Sequence, residues 1–240
     1  MVAPFAVRLK IADTQTSGRT AGNLYAISTI GSIVGTFLAG FALIAWLGST
    51  NILYPDVRVD VVELDPGVTA LAREHFDLKD HPRQRIVAED ARTFLNRNRE
   101  TYDAILCDTF NSHYAIPFHL TTLEAAQRMH AALAPNGVVL VNLISALNGE
   151  RGRLFDAMFA TYKRVFPRVL AFAVRNPQDG SSWQNIILAA FAAPDEPLLT
   201  DPDPDMAAML AKRLDIPAGA GVAPLTDDYA PVDRYIMSAW

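Results

Sequence analysis

The chain has 240 residues, of which 50% are hydrophobic and 20% charged, with a formal net charge of -5; that length holds one domain of ordinary size plus an appendage. The weakly acidic balance and the absence of any basic run argue against nucleic acid as a partner and suit a cationic ligand better. Cys107 is the only cysteine, which rules out an internal disulfide, and a mean hydropathy of +0.13 is high for a soluble enzyme, so the apolar excess needs a location.

It has one near the amino terminus. After an amino-terminal segment, residues 1–23, the run from Leu24 to Trp46 (LYAISTIGSIVGTFLAGFALIAW) carries no charge. Crossing the hydrocarbon core takes about 20 such residues, so residues 24–47 are expected as one transmembrane helix rather than a shorter buried core helix. The run is long and late for a signal peptide, and no small-residue cleavage site follows it. Gly31 and Gly35 form a GxxxG pair that would admit a second helix, as in a homodimer. Arg8, Lys10 and Arg19 precede the run and favour a cytoplasmic amino terminus, which for one isolated span puts the remainder on the far side; further spans upstream would reverse this. The expected location is an inner or plasma membrane with the following domain cytoplasmic.

Residues 48–194 alternate between strand and helix signals, which implies a largely parallel sheet covered by helices. Val57 to Leu64 reads as a strand, Pro66 to His75 as a helix, Arg85 to Ala88 as a short strand, Ala91 to Asn98 as a helix and Ala104 to Cys107 as a buried strand. An irregular loop, Thr109 to Phe118, follows. Thr121 and Glu124 have capping-box spacing and open a helix with Leu123, Ala126, Met129 and Leu133 at helical intervals. Pro135-Asn136-Gly137 predicts a turn into the strand Val138 to Leu143. Arg151 to Phe166 reads as a helix, and Val169 to Val174 with Asn185 to Ala190 as a terminal strand pair. Residues 195–240 are a Pro- and Asp-rich linker, a short helix from Met206 to Leu214 and a tail.

Three apolar runs end in a carboxylate, the way an open α/β sheet presents polar groups at its carboxyl edge. Glu63, last in its strand, can accept two hydrogen bonds from a ribose diol. Asp65, before Pro66, reads as a helix cap. Asp90 can accept from an exocyclic amine while the small Ala91 beside it admits a flat ring, a pairing that suits adenine. Asp108 ends the next strand beside a loop holding Asn111, His113 and Tyr114, where it can serve as a base or an ammonium anchor, or else as a structural cap. His113 and His119 lack a third ligand at a recognised metal spacing. Cys107 lies in an apolar run and reads as a small buried hydrophobe.

The series VVELDPGVTALAREHF, EDARTFL, YDAILCDTF and IPFHLTTLEAAQRMHAALAPNGVVLVNL resembles the spermidine synthases, the polyamine aminopropyltransferase family, and in particular a membrane-fused bacterial branch. That branch also shows an apolar segment similar to the one above and a tail similar to Leu225-Thr-Asp-Asp-Tyr-Ala-Pro-Val-Asp233. The resemblance implies a Rossmann-like sheet of the S-adenosylmethionine-dependent methyltransferase type. It implies that Glu63 holds the ribose of decarboxylated S-adenosylmethionine, the co-substrate, that Asp90 and Ala91 hold its adenine, and that Asp108 accepts the proton of the attacking amine. Asn111 and Tyr114 would then contact a small amine such as putrescine; no permanently bound cofactor or metal is implied.

Two departures from the family pattern stand out. Where the family has a second carboxylate three residues after the catalytic one, this chain has Asn111, which cannot pair with an ammonium ion. The family's first strand and glycine-rich turn should precede Arg58, yet only Ser49 to Val57 separate the apolar run from the next strand, and a parallel strand with its crossover needs a dozen or more residues. The sheet is therefore expected to be incomplete at its first strand, either split or with the Glu63 and Asp108 strands paired directly. Two alternatives to aminopropyl transfer remain: an inactive, truncated membrane-bound relative acting in binding or interaction, and an S-adenosylmethionine-dependent methyltransferase.

Overall fold

The computed structural model describes residues 57–109, 116–216 and 222–237. The expected transmembrane helix, residues 24–47, and with it the GxxxG pair, lie outside the described residues, as do Asn111 and Tyr114. Among the described residues no helix is long and apolar enough to cross a membrane.

In chain order the elements are β1 (Val59–Glu63), α1 (Pro66–His75), β2 (Gln84–Ala88), α2 (Ala91–Arg97), β3 (Tyr102–Cys107), α3 (Leu123–Ala131), β4 (Leu133–Ser145), α4 (Arg153–Lys163), β5 (Arg168–Ala173), β6 (Gln184–Phe191), α5 (Pro204–Leu210) and α6 (Val232–Met237). The strands form two sheets, β1-β2 and β3-β4-β6-β5. Among the described residues β1 and β3 share no ladder; whether a further strand lies between them falls to residues outside the described ones.

Local chemistry sets the element boundaries. Asp65 caps α1 by accepting from the Gly67 amide at 2.7 Å, with Pro66 in the first turn, as the sequence suggests. Asp90 caps α2 through the Thr93 amide at 2.8 Å. The capping-box expectation is corrected: Thr122, not Thr121, caps α3. The Thr121 hydroxyl instead donates to the Phe118 carbonyl at 2.7 Å, closing the 3-10 turn Phe118–Leu120, and the Glu124 carboxylate accepts from the Asp227 amide at 2.9 Å. Pro135-Asn136-Gly137 is not a turn outside the strand but a bulge within β4. Tyr102 pairs with Leu133 and Ala104 with Val138, so a two-residue step on β3 faces five on β4. Gly137 fits this bulge because a Cβ there would meet Ala134 O, Leu133 Cδ2 and Tyr102 O, each at 3.0 Å. The last helix expected from Met206 begins earlier, at Pro204, because the Asp203 carboxylate caps it through Asp205 and Met206.

The larger sheet is less parallel than the alternation implied. β1-β2 and β3-β4 are parallel, whereas β6 runs antiparallel to both β4 and β5. The connection from β5 to β6, residues 174–183, is shorter than a parallel crossover requires.

The core lies on this second sheet. β4 buries alternate residues Val139, Val141 and Leu143, and α4 sets Leu154, Met158 and the fully buried Tyr162 against the sheet, with Ala125, Ala126 and Met129 of α3 alongside. Tyr162 stacks on Phe166 at 5.6 Å between centroids. The β1-β2 pair is more thinly covered: α1 has no buried residue, and Val59 and Leu106 remain 44% and 55% exposed. Val59 and Leu106 stand on β1 and β3, which share no ladder among the described residues.

Two of the polar ties between the sheets fix their relative direction. The Tyr102 hydroxyl, at the start of β3, donates to Asp60 Oδ2 near the start of β1 at 2.8 Å, and Arg85 of β2 pairs with the same carboxylate, Nε to Oδ1 at 3.0 Å. Beyond the other ends, the His119 ring meets Asp90 Oδ2 at 3.1 Å. One tie joins strand starts and the other joins the segments that follow strand ends, so the carboxyl ends of β1, β2 and β3 share one side.

Candidate functional site

Glu63 and Asp90 are brought together by parallel pairing. Glu63 stands opposite Ala88 in the register, and the Glu89 amide donates to the Glu63 carbonyl at 3.0 Å, which places Asp90 and Ala91 immediately beside the end of β1. Glu63 is half-buried; its Oε1 accepts from the Asp65 amide at 2.9 Å, which fixes the carboxylate at the strand end, and its Oε2 takes no hydrogen bond among the described residues. That leaves Oε2 and the second lone pair of Oε1 as oriented acceptors for hydroxyls.

Asp90 has both carboxylate oxygens engaged, Oδ1 by the Thr93 amide and Oδ2 by His119. Partial burial works to raise its pKa, but the Thr93 backbone and hydroxyl and the His119 ring outweigh it and hold the carboxyl below its usual value. It is therefore ionised at neutral pH, as an acceptor for an amino group must be. Its capping role is structural and compatible with that use, because each carboxylate oxygen carries two lone pairs.

Asp108 directly follows β3 and is exposed, with Oδ1 accepting from Asn142 Nδ2 at 2.9 Å. Asn142 on β4 accepts in turn from Asn185 Nδ2 on β6 at 3.0 Å. This chain of side chains crosses three strands and orients the carboxylate. No hydrogen bond among the described residues joins Asp108 to Glu63 or Asp90; what they share is the carboxyl side of the strands.

Cys107, one residue earlier, is buried, and burial pushes its thiol up to about 11. It is a packing residue, as the apolar run implied, and not a nucleophile. Among the described residues no group of three or more His, Cys, Asp and Glu side chains is arranged to hold a metal ion.

Four residues of this region escape sequence reasoning. Asn142 and Asn185 interrupt apolar strands, and a polar residue in such a run is a usable signal. His119 and Arg92 carry none, since their partners are distant in sequence. Arg92 Nη2 pairs with Asp227 Oδ2 at 2.6 Å and its Nη1 donates to the His119 carbonyl at 3.1 Å. A cavity of about 680 Å³ is lined by Arg92, Glu124, Arg128 and Asp227. It lies between α2 and α3, and none of Glu63, Asp90 and Asp108 lines it.

Known proteins give the site a context. Residues 52–192, more than half of the chain, match the model of the spermine/spermidine synthase domain. A polyamine aminopropyltransferase from Vibrio vulnificus is 34% identical over 140 residues, covering 57% of this chain and 44% of that protein. The chain thus spans less than half the length of that relative. Among solved structures, a probable spermidine synthase from Corynebacterium glutamicum superposes with a TM-score of 0.59 at 25% identity, covering 73% of this chain and 65% of its own. Human methyltransferase-like protein 13 in complex with SAH superposes with a TM-score of 0.50 at 21% identity, covering 70% and 78% of the two chains, a likeness of fold alone. The fold is α/β, Rossmann-like and of the methyltransferase type, and the chain belongs to the spermine/spermidine synthase family.

Proposed function

We propose that the chain is an aminopropyltransferase that moves the aminopropyl group of decarboxylated S-adenosylmethionine to a polyamine such as putrescine. The observation that carries this reading is the convergence of Glu63 and Asp90 at adjacent strand ends, with Asp108 ending β3 on the same side. Glu63 would accept from the ribose diol and Asp90 from the adenine amino group, with Ala91 leaving room for the ring. Asp108, oriented by Asn142, would hold the acceptor amine and take its proton; Asn111 and Tyr114 would line the amine side.

An alkyl ammonium has a pKa near that of lysine, about 10.4, so it must lose a proton before it attacks. Asp108 draws that proton off as the nitrogen lone pair forms a bond to the aminopropyl carbon beside the sulfonium. The carbon–sulfur bond breaks, its electron pair stays on sulfur, and neutral methylthioadenosine leaves. A carboxylate fixed by an amide side chain supplies orientation as well as charge, which is where much of the rate of such a displacement comes from.

The uncharged run Leu24 to Trp46 supports a membrane anchor at residues 24–47. The direct test of the reaction is chromatographic detection of methylthioadenosine and spermidine after incubating the full-length, detergent-solubilised protein with decarboxylated S-adenosylmethionine and putrescine. Both products in equal amounts are expected. Absence of both would indicate an inactive relative.

A further inference from the structure

The carboxyl-terminal segment reaches the Asp90 side of the site through an unbroken polar chain. Leu225 is buried; its amide donates to Thr161 Oγ1 at 2.8 Å and its carbonyl accepts from the Leu123 amide at 2.8 Å, which anchors the segment to α3 and α4. Next to it, Asp227 accepts from Thr122 Oγ1 at 2.6 Å and from Arg92 Nη2 at 2.6 Å, and its amide donates to Glu124. Arg92, with a side chain only 15% exposed, spends its other terminal nitrogen on the His119 carbonyl at 3.1 Å and on Thr122 Oγ1 at 3.3 Å. The His119 ring then meets Asp90 Oδ2 at 3.1 Å while packing edge-on against Phe118.

We propose that Asp227 is a positioning residue for the purine subsite: acting through Arg92 and His119, it fixes the direction in which Asp90 accepts a hydrogen bond and so sets discrimination between a 6-amino and a 6-oxo purine. The proposal rests on the reading of Asp90 as the adenine contact. With Oδ1 held by Thr93 and Oδ2 by His119, the carboxylate plane is fixed and the remaining lone pair of Oδ2 points one way. A 6-amino group donates to it. A 6-oxo oxygen presents only lone pairs and is repelled. A carboxylate free to swing would still attract an amine but would discriminate less, because selectivity against an isostere comes from an acceptor that cannot turn away. Arg92 matters because a guanidinium forks: one nitrogen satisfies Asp227 while the other holds the backbone that carries the His119 ring.

The test is calorimetric titration of full-length protein with 5′-methylthioadenosine and with 5′-methylthioinosine, which differ in the group at position 6 and in the N1 proton that the oxo form carries. The wild-type protein should prefer the adenosine compound by at least about tenfold. Asp227→Asn should reduce that ratio to within about threefold, chiefly by improving the relative standing of the inosine compound. A merely structural role would weaken both ligands in proportion and leave the ratio alone, and that result would overturn the proposal. Arg92→Lys, which keeps the charge opposite Asp227 and loses the fork to His119, should lower the ratio as well and serves if Asp227→Asn does not fold. A wild-type protein that binds both ligands equally would also overturn the proposal while leaving aminopropyl transfer standing. Failure to bind either would remove the donor-binding reading with it.

Discussion

The Tyr102 hydroxyl donates to the Asp60 carboxylate at 2.8 Å across the place where two sheets part, and Arg85 completes the cluster from the neighbouring strand. Strands β1 and β3 share no ladder, so this tie supplies at the amino ends of the strands part of what backbone pairing would otherwise supply. Burial, followed by the adjacent Asp60 charge, pushes the tyrosine up to about 12. The neutral phenol is therefore favoured in the folded state, and its contribution to stability is full below the ordinary tyrosine value and lost as pH rises through the folded one. Tyr102→Phe should cost about 1–2 kcal/mol in urea unfolding at pH 7, the range for a partly buried hydrogen bond to a charged group. An unchanged unfolding midpoint would mean that the cluster does not hold the sheets together.

Asp90 is expected to act twice. Its folded pKa is lowered, so the stability it contributes is present above the unfolded carboxylate value and disappears as pH falls through the folded one. Asp90→Ala should lower stability by about 1 kcal/mol through loss of the α2 cap and should flatten the acid limb of the stability profile below about pH 4. Thermal melts from pH 3 to 7 check both effects; an acid limb identical to that of the wild type would assign the cap energy elsewhere.

Asn142 orients Asp108, which the proposed function makes the base. Asn142→Ala should therefore reduce kcat by about tenfold with little change in donor affinity, as expected when a base is less well placed. Steady-state kinetics with putrescine separates the two constants. A rise in donor KM at constant kcat would point to the donor side of the site instead.

Cys107 should resist alkylation. With its thiol pushed up to about 11, only about a thousandth is thiolate at pH 8, and burial restricts access further. Iodoacetamide labelling followed by mass spectrometry should show slow modification of the native protein and rapid modification in denaturant. Equal rates would contradict the burial of Cys107.

Much of this arrangement is legible in the sequence because local chemistry sets it. Apolar runs that end in Glu63 and Cys107-Asp108 mark strand ends, and Asp65-Pro66 marks a helix start. A parallel β1-β2 pair then delivers Glu63 and Asp90 side by side. Other features have no local signature. Asp227 lies 135 residues from Arg92 and His119 lies 29 from Asp90, so only the folded chain joins them. Thr121 and Glu124 satisfy a capping pattern that tertiary structure overrides, because Asp227 claims Glu124 and Thr122 takes the cap. The antiparallel β6 was open to sequence reasoning, because residues 175–184, all that separates the two expected terminal strands, are too few for a parallel crossover.

The central claim is that Glu63 and Asp108 serve one ligand pair from one rim, Glu63 on the donor and Asp108 on the amine. Calorimetry with methylthioadenosine, paired with turnover assays on Glu63→Gln and Asp108→Asn, tests it most directly. Glu63→Gln should weaken methylthioadenosine binding by about tenfold or more, the loss of a charge-assisted hydrogen bond, and Asp108→Asn should bind it like the wild type while losing turnover. Binding indifferent to Glu63, or turnover retained without the Asp108 carboxylate, would contradict it.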